Sequence, residues 1–546
     1  MDIRYTPLFP QNQKLKNRSC SVVVRRPKTR PRPWSSVVYI ALLLALYCTV
    51  ESIRKFALDS FRLFAEPAKN VDDLPPTYTA LREWEMNLPQ HNLNLPFPEG
   101  RTGRYVLFSN SRQYQVGWNN KLNDMLMNTW LAHSSNRAYV FHDFLWSPTH
   151  YPWPAFSFPH PDWIPSTPLN ALISGPSAGG PWEEQDGAPR SISEGWFDVV
   201  CPKLERRIIN TRDVKPEVNW ADGKIIFEKW RNLLLEAPER CIEIVAASKE
   251  EDPYPETFDI KFWSGPRSVS LWDEFKVSPV SRLLGTSPTV QSAVDANLHL
   301  FFTDSHRRRH FPLSSTTKAS LSQAGKESDT ADPFDHVLSI HVRRGDFKEA
   351  CLEHAAENST FYNWNLLSFL PDKFSPPPAA GNRILPKGKN TPENEAIFLE
   401  RCLPSAASIT RKVRAAKEAY LQNANANAAS SGTGPAESSS RLNRLTRSKT
   451  HTQSQRSLDV LYIMSNDRTE WLDDLKDSLR RDGWAHIVTS RDLKFTAEQK
   501  DVGVAIDMDI GRRSAVFIGN GWSSFTSNVV HRRLVDGKEP ISIRFW

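Results

Sequence analysis

The chain contains neither the lysine-bearing phosphate loop of nucleotide kinases nor an HExxH pair. Kinase chemistry of that type and zincin chemistry therefore have no carrier. Glycine is scarce, 23 residues against 40 prolines in 546, and the prolines follow no triplet period. That excludes a collagen-like helix and points to long loops. No solenoid repeat is visible. A basic body is missing too. The net charge is +7, but residues 1–33 hold nine of the 69 basic and one of the 62 acidic residues, leaving 60 against 61. A nucleic-acid partner wants a basic face on the folded body, and none is expected. What is plentiful is apolar mass, with 18 Trp, 28 Phe and 12 Tyr. The chain can build a real core, which excludes a wholly disordered protein.

Long apolar runs are absent with one exception, the uncharged 17-residue stretch Trp34–Val50. Its basic, tail-like flanks argue against a buried core helix. The long preceding region, with no small-residue cleavage site after the run, argues against a signal peptide. The reading is one transmembrane span at the short end of what crosses a bilayer. Arg25, Arg26, Lys28, Arg30 and Arg32 precede it, and basic flanks stay in the cytosol. Residues 1–33 are then a cytosolic tail and the body is luminal. The expected location is the endoplasmic reticulum or Golgi membrane, type II, because a short span suits a thin bilayer.

Cysteine is rare, six residues with no CxxC and no zinc spacing. Cys20 falls in the tail and Cys48 in the span. Cys201, Cys241, Cys351 and Cys402 fall on the luminal side, where disulfides persist. Four cysteines allow three pairings. Proximity favours Cys201–Cys241 and Cys351–Cys402. Asn358-Ser-Thr is a luminal glycosylation sequon. Asn17-Arg-Ser fits the pattern on the cytosolic side.

Residues 51–100 read as a proline-bearing stem. From Tyr105 the pattern becomes strand (YVLFS), loop, helix (Leu122, Met125, Leu126, Trp130) and strand (AYVFH). This βαβ rhythm implies a parallel sheet covered by helices. Residues 146–195, rich in Trp, Pro and Gly, read as a long ordered loop, a candidate acceptor wall. Residues 101–310 form a first Rossmann-like domain, 311–333 a linker and 334–546 a second domain. Strands are expected at 337–342, 458–464, 485–489 and 515–519, with a helix from about Ser523. The stretch 371–392 is proline-rich, and 421–456 reads as a disordered insertion.

Ligands of such sheets bind beyond the carboxyl ends of the strands, and chemistry-bearing residues stand there. Arg343-Arg344-Gly345-Asp346 follows SIHV. Guanidinium forks match phosphate oxygens, Asp346 can orient one of them, and His341 can touch a base or ribose. A structural Arg–Asp pair is the competing reading. Asn520-Gly521-Trp522-Ser523-Ser524-Phe525-Thr526 follows VFIG. A helix start offers unpaired N–H groups for phosphate; ordinary capping by Ser523 is the alternative. Gly117-Trp118-Asn119-Asn120 follows the first strand, and Asn as a helix cap competes there. Asp507-Met508-Asp509 matches the metal-binding DxD pattern. It falls in a helical run, where residues i and i+2 do not share a face, so the metal reading is discounted.

Together these segments resemble the GDP-fucose-dependent fucosyltransferases, the group of protein O-fucosyltransferases and α1,6-fucosyltransferases. The carriers are GWNN at 117–120 with LAHSSNRAYVF after it, IHVRRGDF at 340–347, AIDMDI at 505–510 and FIGNGWSSFTSNVVHRRL at 517–534. The resemblance spans most of 101–546, with 146–330 matching poorly. It implies an α/β GT-B fold, with two Rossmann-like halves facing a cleft. It also implies inverting fucosyl transfer from GDP-fucose to a protein or glycan hydroxyl, with no metal and no cofactor. It matches Arg343 to an essential arginine on the β-phosphate, His341 to a nucleoside contact and Asp507 to an acid that reads guanine. It matches Ser523, Ser524, Phe525 and Thr526 to phosphate and fucose contacts, and Gly117–Asn120 to the loop near sugar and acceptor. The guanidinium turn and the helix start are expected to converge across the cleft. One departure stands out. No acid lies between Arg112 and Asn123, where some relatives carry a base, so Asp124 or Asp346 is left for that role. The alternative is a catalytically inactive relative that binds a nucleotide sugar or glycan.

Overall fold

The computed structural model describes residues 74–112, 116–148, 150–154, 157–160, 162–303, 332–345, 347–377, 391–431, 457–467 and 469–546. The tail, the 34–50 span, residues 51–73 of the stem, most of the linker, Asp346 and residues 432–456 lie outside them. Among the described residues no helix is long and apolar enough to cross a membrane.

Two five-stranded sheets dominate, and every pairing in both is parallel. The first uses β1 (Tyr105–Phe108), β2 (Ala138–Phe141), β3 (Ile192–Ser193), β4 (Arg207–Asn210) and β5 (Cys241–Val245) in the order β3-β2-β1-β5-β4. The second uses β6 (Val337–Val342), β7 (Val460–Ser465), β8 (His486–Thr489), β9 (Val516–Gly519) and β10 (Ile543–Phe545) in the order β8-β7-β6-β9-β10. The order reverses between β6 and β9, and between β1 and β5. Such switch points open a crevice at the carboxyl ends of the strands.

The central strands β1, β2, β6, β7 and β9 are apolar on both faces because both are covered, whereas β4 leaves Ile208 54% exposed. In β7, Tyr462 and Met464 face one core, while Leu461 and Ile463 face another, the two-residue alternation of extended chain. The helices that matter are α1 (Thr79–Met86), α2 (Trp118–Ser134), α3 (Glu194–Val200), α4 (Gly223–Glu236), α5 (Phe347–Ala356), α6 (Pro392–Cys402), α7 (Ala406–Ser431), α8 (Trp471–Arg481), α9 (Gly503–Arg513) and α10 (Ser524–Val535). Helices α7 and α8 cover one face of the second sheet through Ile409, Val413, Leu472, Leu475 and Leu479. Helices α9 and α10 cover the other through Ile506, Ile510, Val529 and Val530. In the first sheet, α2 and α4 cover one face and α3 the other. Disulfides join Cys201 to Cys241 and Cys351 to Cys402.

Two expectations need correction. Residues 74–100 are not a spacer. Tyr78 is 3% exposed and donates its hydroxyl to Asp501 at 2.8 Å, and Gln90 donates to the carbonyls of Gly179 and Ser191. The proline content masked apolar and amide groups that the body buries. Residues 421–431 are not disordered either, for they continue α7. The NANANAA run supplies alanine, the best helix former.

Candidate active site

Strand β6 delivers His341 to its end, and helix α10 starts directly after β9. The adjacency of these strands brings the two segments together. His341 Nδ1 lies 3.3 Å from Thr526 Oγ1, and the His341 ring is 4.4 Å from that of Phe525. Burial, with Arg343 beside it, pushes His341 down to about 3, so the imidazole is neutral. Gly519 is required for this approach, because a Cβ there would meet Thr526 Cγ2 at 2.4 Å. Ser523 caps α10, its hydroxyl accepting from the Thr526 N–H; the capping role holds. Ser524 is the first helical residue and half-buried. The guanidinium turn and the helix start therefore share one sheet's switch point and do not face each other across the cleft.

The first half reaches this point through its own loop. Asn119, at the start of α2, accepts from Asn528 Nδ2 with its carbonyl at 2.9 Å and its side-chain oxygen at 3.0 Å. Asn120 Oδ1 accepts from the Tyr362 hydroxyl at 2.8 Å. Tyr362 N–H and Asn365 Nδ2 donate to the Gly521 carbonyl. Three loops from two sheets thus form one constellation. Asn528 falls in the 517–534 segment read from the sequence, whereas Tyr362 and Asn365 were not read from it. The Tyr362-Asn363-Trp364-Asn365 run was the signal available.

Arg343 is half-buried, its guanidinium carbon 5.7 Å from the Phe347 ring centre, and its charge acts on His341. Arg344 does not join it. It is 9% exposed, stacks 3.6 Å over Trp471 and donates to the carbonyls of Leu403 and Pro404. A guanidinium spent on two carbonyls and a ring offers no fork to phosphate. Trp118 also points inward, packing edge-on against Phe144 at 5.3 Å. Gly117 precedes α2 as its cap position, with open space where a Cβ would go.

Asp507 and Asp509 face different partners. Asp507 accepts from Tyr462 at 2.5 Å and from Ser490 at 2.9 Å, and burial pushes it up to about 6. Asp509 accepts from Thr286 at 2.5 Å and pairs with Arg512 at 3.1 Å. The two carboxylates do not converge on a common ion. Asp124 is 2% exposed within the first core, and burial pushes it up to about 7. It is enclosed on α2 one turn past Asn120, with Lys121 and Glu256 as its charged neighbours. The Trp and Tyr rings of 146–163 pack on one another, with Tyr151 touching Trp146, Trp153, Phe158 and Trp163. They form an aromatic cluster, with Trp146, Phe158 and Trp163 partly exposed. Asn358 is half-buried and donates one of its two amide hydrogens to the Pro377 carbonyl at 3.1 Å. The sequence also holds one GxSxG run, Gly175–Gly179. Ser177 is 2% exposed in a single 3-10 turn between Gly175 and Gly179, not at a strand-to-helix elbow, so this is a turn and not a nucleophile elbow.

With this geometry in place, the chain is similar to solved structures of POFUT1 and of the NodZ α-1,6-fucosyltransferase. The POFUT1 complex with GDP shares 12% identity at a TM-score of 0.39, covering 81% of this chain and 98% of that one. The POFUT1 complex with GDP-fucose shares 12% at 0.37, covering 79% and 94%. The NodZ structure soaked with GDP-fucose shares 13% at 0.30, covering 78% and 91%. No family model and no curated protein matches the chain. The structural likenesses stand as similarity, and the functional argument rests on the residues.

Proposed function

We propose that this chain transfers fucose from GDP-fucose to a hydroxyl of a protein or glycan, with inversion and without a metal. The observation that carries the reading is the His341–Thr526 contact at 3.3 Å. It sets the Arg343 turn beside the N–H groups that open α10, at a switch point where a phosphorylated ligand would lie. Asp507, held by Tyr462 and Ser490, suits a base edge. The Asn119–Asn120 loop brings the other half to the same place for the sugar and acceptor.

The chemistry is mainly electrostatic. As the glycosidic C–O bond breaks, charge builds on the β-phosphate and the sugar becomes oxocarbenium-like. Arg343 and the helix start stabilise the departing diphosphate with donors already in place. Anchorage through 34–50, a luminal body in the early secretory pathway and glycan attachment at Asn358 belong to the same proposal.

The test is release of GDP from GDP-fucose by the purified full chain, with protein and glycan acceptors offered in parallel and EDTA present. Turnover that Arg343→Ala abolishes in folded protein supports the reading. The enclosure of Asp124 favours a second reading, a nucleotide-sugar-binding relative without turnover; GDP binding with no release of product in any acceptor series would select it.

A further inference from the structure

Behind the site runs a short strap, Cys402–Leu403–Pro404, whose three consecutive carbonyls are all used. Cys402 accepts from Asn520 Nδ2 at 2.6 Å. Leu403 accepts from Arg344 at 3.3 Å, and Pro404 accepts from the other terminal nitrogen of the same guanidinium. Asn520 and Arg344 open the two loops that the proposed function assigns to the donor. Asn520 is 1% exposed, accepts from Trp522 N–H at 2.9 Å and so sets the turn leading to Ser523. Arg344 follows Arg343 directly, and Asn466 fixes its backbone with bonds of 2.9 and 3.0 Å.

The strap is itself fastened. Cys402 is bonded to Cys351 on α5, which begins just past the Arg343–Gly345 turn. Both cysteines are fully enclosed. By sequence they are 51 residues apart, so the disulfide is the short connection between strap and turn. The Phe398 ring on α6 adds a contact to Trp522 at 5.5 Å.

We propose that the Cys351–Cys402 disulfide and the Cys402–Pro404 strap set the spacing between the two donor-binding loops, with Arg344 and Asn520 as positioning residues. This rests on the fucosyl-transfer reading for its ligand. It gives Arg344 a role through Arg343, where the sequence suggested direct contact. Displacement of about 1 Å at such a site costs roughly 100-fold in rate, so a fastening this close is consequential.

The test compares two double variants of the full chain, Cys351→Ser/Cys402→Ser and Cys201→Ser/Cys241→Ser. The second pair ties the end of α3 to β5 of the first sheet. Both lower the unfolding midpoint. Only the first is expected to raise the GDP dissociation constant, by about tenfold or more, and to speed amide exchange at 343–345 and 520–523. Arg344→Lys and Asn520→Ala keep the disulfide and probe the strap should the first variant not fold. Lysine can reach one carbonyl but not span two, so Arg344→Lys should weaken GDP binding less than Arg344→Met. GDP affinity and exchange within twofold of wild type in the strap variants would overturn the proposal. Absence of GDP binding in the wild type would overturn the fucosyl-transfer reading instead, while the exchange rates still report the positioning.

Discussion

Gly521 is the position at which a single methyl group should disturb both packing and site. A Cβ there would stand 2.3 Å from Phe361 Cδ1 and Cε1 and 2.6 Å from Cγ. The Phe361 ring is 1% exposed and hemmed by Trp522, Phe374 and Phe545 at 4.9, 5.8 and 5.3 Å. It has no room to yield. The Gly521 backbone is equally fixed, its carbonyl accepting from Tyr362 N–H at 2.8 Å and from Asn365 at 2.9 Å. Overpacking of a well-filled core costs about 1–3 kcal/mol, and this contact belongs at the upper end. Relief must come by moving Trp522 and Ser523, which start α10. Gly521→Ala should therefore lower the denaturant midpoint and weaken GDP binding together. Gly503→Ala is the control, since no atom lies within 4 Å of its added Cβ. It should be neutral or gain up to about 1 kcal/mol. If Gly521→Ala matches wild type in midpoint and GDP affinity, the packing argument for this loop is wrong.

Two carboxylates give further expectations. Asp501 is buried under the hydroxyls of Tyr78 and Thr167, and burial raises it to about 6. The folded state thus holds a proton that the unfolded state has lost above its ordinary carboxylate value, so stability falls as pH rises from about 4 to 6 and is level above. Asp501→Asn should exceed wild type in stability above pH 6 by roughly 2–3 kcal/mol, with the difference vanishing towards pH 4; a pH-independent difference in denaturant titrations would refute this. Asp124→Asn should keep turnover, because Asp124 is enclosed, while a loss of about 100-fold or more would identify it as the base.

The sequence made much of this legible where local chemistry and burial agree. Strands β1, β2, β6, β7, β8 and β9 are apolar runs because both faces of a parallel sheet are covered. Strand β5 escaped notice because Glu243 interrupts it, and only the structure shows that Arg206 pairs with that carboxylate at 3.0 Å. Strands β3, β4 and β10 are short and carry weak periodicity. The site loops were legible because they follow strand ends. Their internal directions were not. Arg343 and Arg344 are chemically alike, and only Trp471 and the Leu403 and Pro404 carbonyls, remote in sequence, decide which one turns away. The link from Asn119 to Asn528 spans 409 residues, beyond any local pattern.

The central claim is that the Arg343 turn and the α10 start grip one diphosphate. Calorimetric titration of GDP into the full chain and into Arg343→Ala tests it most directly. Loss of a bidentate, charge-assisted contact should cost about 3 kcal/mol or more, roughly 100-fold in affinity. Equal affinities in two folded proteins, or no binding by the wild type, would contradict the account.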